Sequence, residues 1–129
     1  MTSSEFEYQS IPLLDRPELE GLLQSTDPVR IVYGLLSAAL YDFDPAWAED
    51  QCIRRLYYPN LDVQNAALTS IGHIARLNGA INLPVVVPIL IDLLKNPDTA
   101  GLADDALDMI ETHVDRELKR PHLGDQSDG

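Results

Sequence analysis

Residues 60–79 read NLDVQNAALTSIGHIARLNG, and this stretch decides the fold. Wound at about 100° per residue, Val63, Ala67, Ile71, Ile74 and Leu77 form one apolar stripe. Asn65, Thr69, Gly72 and Arg76 fall on the opposite side. Asn60 or Asp62 offers a short side-chain oxygen to a free backbone N–H at the start. Asn78-Gly79 offers a residue that tolerates positive φ at the end. The apolar side is rich in alanine, so a neighbouring helix must come close. Such a helix is not stable alone, because its stripe has to be covered. The stretch therefore predicts one member of a packed helical set.

Downstream, 78–82 is a turn and 83–95 reads LPVVVPILIDLLK. The three valines favour a strand, but Pro84 and Pro88 each lack a ladder donor. The reading is a helix over 84–95, with Pro84 in its first turn and a bend or shifted start at Pro88. Being apolar on most sides, it is expected to be central. Asn96-Pro97-Asp98 closes it, and Asp98 or Thr99 caps a last helix over 100–118. There Leu102, Ala106, Met109, Ile110 and Val114 face inward, and His113 points with them. Lys119-Arg120-Pro121 ends that helix with the charge its dipole favours. Residues 119–129 are expected to be a disordered tail.

Upstream, Asp44-Pro45 starts a helix over 45–57 that turns Trp47, Cys52, Ile53 and Leu56 inward. Asp27-Pro28 starts one over 28–40, and Asp15-Arg16-Pro17-Glu18 is a capping box for a short helix over 16–24. Residues 1–14 lack a period. Phe6, Tyr8, Ile11, Leu13 and Leu14 nevertheless predict a partly ordered segment against the first helices.

Three helix pairs result. Their second helices repeat an apolar residue at every fourth position: Ile31, Leu35, Ala39; then Val63, Ala67, Ile71; then Leu102, Ala106, Ile110. This predicts an all-α fold, an α-solenoid of three antiparallel pairs and six helices, as one domain over 15–118. At these residues the chain resembles the HEAT repeat, a member of the armadillo-type helical repeats. Asp62, Val63, Ala67, Ile71 and Gly72 match the second helix of that repeat, while Gln64 stands where an Arg is usual. KNPDTAGLADDALDMI matches the turn and apolar offsets, with Ala103 in place of Arg. TDPVRIVYGLL has Asp27-Pro28-Val29-Arg30, with its apolar offsets two residues late. The resemblance spans 16–118 and implies architecture, since such solenoids host many jobs.

Composition limits the function. The chain has 129 residues with 21 acids and 9 bases, a formal net charge of −12. That field repels phosphate backbones and anionic lipid and attracts basic surfaces, so neither nucleic acid nor membrane is an expected direct ligand. No uncharged apolar run reaches the length of a membrane span, and MTSSEFEYQS lacks the basic start of a signal peptide. With Cys52 the one cysteine, no intrachain disulfide forms and the cytoplasm is the expected compartment.

No motif carries chemistry. There is no HExxH, CxxC, nucleophile elbow or phosphate loop, so no enzyme, metal or cofactor is expected. His73 and His113 read as packed side chains, and Cys52 as inert core. Asp104, Asp108, Glu111 and Asp115 lie within about 60° on the last helix, with Asp105 beside them. That stripe reads either as a solvated outer face or as a dock for a partner's Lys and Arg; a calcium loop lacks the required spacing. Tyr57-Tyr58 with Arg54-Arg55 forms a candidate hot spot. Asn65, Thr69 and Arg76 are candidates for lining the concave surface of the stack.

A non-enzymatic protein-binding domain is the expected function. By charge, size and fold the chain resembles a bacterial immunity protein of the contact-dependent growth inhibition type. That resemblance implies a basic protein partner, a delivered nuclease-like toxin, whose active surface is covered. A generic repeat scaffold or adaptor is the alternative. A HEAT-like repair glycosylase would need a basic groove, which nine bases among 129 residues do not supply.

Overall fold

The computed structural model describes residues 11, 13–41 and 44–115. Six helices follow one another: α1 (Arg16–Leu23), α2 (Pro28–Tyr41), α3 (Pro45–Ile53), α4 (Leu61–Asn78), α5 (Leu83–Leu93) and α6 (Ala100–His113). No strand occurs among the described residues. The N-terminal segment 1–10, the tail 119–129 and the expected Lys119-Arg120-Pro121 stop lie outside them.

The chain's own punctuation sets the helix starts. The Asp15–Glu18 capping box is closed in both directions, at 3.0 and 3.1 Å. Asp44 Oδ1 accepts from the Trp47 N–H at 3.2 Å, and Asn60 Oδ1 from the Val63 N–H at 3.2 Å. Gly79 ends α4 in the left-handed region at φ 66°, its N–H donating to the Ala75 carbonyl at 2.9 Å. One expected cap differs. Thr99 occupies the N-cap position of α6 but is buried, and its hydroxyl donates instead to the Leu93 carbonyl at 2.8 Å. It thereby closes the end of α5 rather than the start of α6. The last helix stops at His113, where the N–H groups of Val114 and Asp115 both turn to the Ile110 carbonyl.

The second helices of the three pairs make one layer. α4 packs between α2 and α6, with α3 across it, while α1 lies on α2 and α5 on α6. α4 and α6 run the same way: Gly72 faces Ala106 and Met109, and Gly79 comes up to the His113 carbonyl. The centre of the fold is therefore α4, not α5. Val86, Leu90 and Leu93 of α5 are buried, but Val85 is 41% exposed and both prolines face outward. An apolar sequence did not make α5 central, because it is the first helix of the terminal pair and packs chiefly on α6. The helix runs through Pro88 from Leu83 to Leu93 without interruption.

Two stripe assignments also change. Leu77, at the edge of the stripe that holds Ile71 and Ile74, is 48% exposed near the end of α4. His113 is exposed rather than packed with Ala106 and Ile110.

The first helices pack less closely on each other, and long polar side chains bridge them. Arg55 donates to the Leu23 carbonyl at 3.0 Å, satisfying the end of α1. The Arg16 guanidinium stacks 3.7 Å from the centroid of the Trp47 ring. Glu49 accepts from the Asn82 N–H at 2.6 Å, at the start of α5. Tyr57 donates to Asp92 at 2.7 Å. Cys52 is fully enclosed beneath this layer, and burial pushes its thiol up to about 12, so it stays protonated and unreactive.

Candidate docking face

Stacking α4 against α6 leaves a groove of about 230 Å³ on the outer side of the layer. Gly72 is buried beneath it, and a Cβ there would lie 3.5 Å from Met109 Cγ and 3.7 Å from Ala106 Cα, so α6 packs directly on this part of α4. The floor is consequently apolar, closed by Leu68, Gly72 and Ala106. Thr69, His73 and Arg76 rise along the α4 edge, and Asp105 stands on the α6 edge.

The rim is partly organised in advance. An Arg76 guanidinium nitrogen lies 3.2 Å from His73 Nδ1. Since arginine only donates, the imidazole must accept there in its neutral form. Burial, and then the Arg76 charge, hold the His73 pKa below its ordinary value, which agrees with that form.

The groove gathers three of the residues singled out in the sequence, Thr69, Arg76 and Asp105. Asn65 lies further back on α4, half-buried, with its Oδ1 enclosed and without a hydrogen-bond partner among the described residues. Carboxylate oxygens of Asp104, Asp105 and Asp108 lie within 4.8 Å of one another. Asp104, Asp108, Glu111 and Asp115 are half-buried, and each already interacts within the chain. They flank α6 rather than crown it. Across α6 there are four acids and neither Lys nor Arg.

The Tyr57–Tyr58–Arg54–Arg55 group divides. Arg55 is committed to Leu23 and Gln51, and Arg54 pairs with Asp50 at 2.8 Å. Tyr58 packs on the core, while Tyr57 stays 57% exposed. Its hydrogen bond to Asp92 pushes the phenol up to about 12. The neutral phenol donates, so ionisation breaks the bond. The associated stability is present below the ordinary phenol range and lost as pH rises through about 12. Spectrophotometric titration should therefore show Tyr57 ionising late. Tyr57→Phe should delete that step, and Asp92→Asn should return it toward about 10.

Sequence reasoning missed His73 and Met109 as groove residues. Their pairing depends on α6 lying beside Gly72, which no local spacing encodes.

No family model matches the chain, and no curated protein does. A solved structure does. It is a chain in the crystal structure of a CDI complex from Cupriavidus taiwanensis LMG 19424, with a TM-score of 0.73 and 25% sequence identity. The match covers 84% of this chain and 96% of that one. This chain has the fold of a CDI-complex component. CDI denotes contact-dependent growth inhibition, and the likeness runs through nearly the whole of the CDI chain rather than one helix pair. No helix among the described residues is long and apolar enough to cross a membrane.

Proposed function

We propose that this chain is the immunity member of a CDI-type toxin–immunity pair. It binds one delivered toxin and neutralises it without chemistry of its own, by covering the toxin's active surface. The observation that carries this reading is the near full-length likeness to a chain of a CDI complex. Charge supports the finer part. A net charge of −12 favours a basic partner, and a nuclease presents positive charge to bind its substrate. An acidic cover competes for that surface, and complementary charge speeds encounter. On this reading the helix pairs are HEAT-like repeats used as a rigid support. The protein acts in the cytoplasm, where Cys52 remains a thiol, and it needs neither metal nor cofactor.

Co-expression with the toxin domain encoded by the adjacent open reading frame tests the proposal. Cells making both should grow where cells making the toxin alone arrest. The purified pair should co-elute at low salt, bind more weakly as salt rises, and lose nuclease activity on mixing. Arrest that persists while both proteins are soluble overturns the immunity role. Rescue from a toxin that does not cut nucleic acid overturns the nuclease assignment alone.

A further inference from the structure

We infer that the α4–α6 groove is where the toxin docks, and that its occupant is a toxin segment carrying a Lys or Arg beside an aliphatic side chain. This rests on the immunity reading and names the surface that serves it. The aliphatic group lies on the floor over Gly72 and Ala106, and the cation meets Asp105.

Shape and charge coincide here. The groove has an apolar floor of Leu68, Gly72 and Ala106 with Leu102 and Met109 beside it, so a side chain entering it is desolvated on that side. The acidic edge is stronger than one carboxylate, because oxygens of Asp104 and Asp108 lie within 4.8 Å of that of Asp105. A partly dry setting strengthens the attraction between a cation and those groups relative to open water. The opposite edge has the other sign. Gly72 faces Ala106 and Met109, so Asp105 sits level with the Thr69–Gly72 turn and Arg76 about one turn further along. Arg76, already aligned with His73, offers its remaining N–H groups to a backbone carbonyl or acid of the same segment. The groove thus reads a segment in one direction, with the cation towards Asp105 and the acceptor towards Arg76.

Three variants test this against the toxin domain of the adjacent open reading frame. Asp105→Lys reverses the exposed acid at the groove. Glu20→Lys makes the same charge change on α1, at the other end of the stack. Thr69→Trp fills the groove without changing charge. Binding of each is measured by calorimetry, and folding by thermal melting. Asp105→Lys should weaken binding by about 30-fold or more, the loss expected when one member of a contacting charge pair is removed. Thr69→Trp should weaken it comparably, and Glu20→Lys by about threefold or less. Equal losses for Asp105→Lys and Glu20→Lys, or wild-type binding by folded Thr69→Trp, overturn the groove as the docking site. Should Thr69→Trp fail to fold, the comparison of the two lysine variants decides alone. If the wild-type chain neither binds nor protects, the immunity reading fails first and the groove assignment falls with it.

Discussion

Ile71→Ala should lower the stability of the domain by about 2–5 kcal/mol. Ile71 is fully enclosed on α4, which α2, α3 and α6 all pack against. Truncation removes three methyl or methylene groups from a site whose neighbours come from several helices and cannot all close inward. A domain of this size has about 5–15 kcal/mol to lose, so the change takes a large share. The melting midpoint should fall on the order of 10 °C. Leu77→Ala is the comparison. It lies on the same stripe but is 48% exposed, so it should cost no more than about 0.5 kcal/mol. Urea denaturation of both variants measures the difference. Equal costs would mean that α4 is not the centre of the packing.

That pair of leucine and isoleucine shows where sequence reasoning stops. The wheel sets Ile71 and Leu77 about 120° apart, at opposite edges of one apolar stripe. It does not give the length of the neighbours that must cover both. Starts of helices were legible because an Asp, Asn or Pro acts within three or four residues, as Asp15, Asp44 and Asn60 do. Thr99 escaped the same logic because its partner, the Leu93 carbonyl, belongs to the preceding helix and burial aims the hydroxyl there. Arg55 escaped because Leu23 is 32 positions away. The identity of the central helix is likewise non-local. α5 has the more apolar sequence, yet α4 has alanines and Gly72 on two sides, so two helices can approach it closely. The same small residues turn its supposedly exposed side into one wall of the groove. Thr69, Arg76 and Asp105 were visible as single candidates, and only the stacking of α6 on α4 makes them one site.

Replacing Asp104, Asp108 and Glu111 together by Lys should weaken the proposed complex with a basic toxin by at least about 100-fold at low salt. The three reversals carry the formal net charge from −12 to −6 and place that change on one flank of one helix. Fold should persist. These side chains are half-buried at the edge of α6, and a lysine can lay its stem along apolar surface while its ammonium reaches water. The kinetic form of the loss separates two roles. Flanking acids act on an approaching basic surface through their field, so their reversal should chiefly lower the association rate and flatten its salt dependence. In the proposed docking Asp105 contacts the bound segment, so Asp105→Lys should chiefly raise the dissociation rate. Surface plasmon resonance over a salt series reads both. A triple variant that associates at the wild-type rate but dissociates faster would move the flank into the contact itself. Unchanged affinity would place the complex on another face of the stack, and α6 would then owe its four acids to solubility alone.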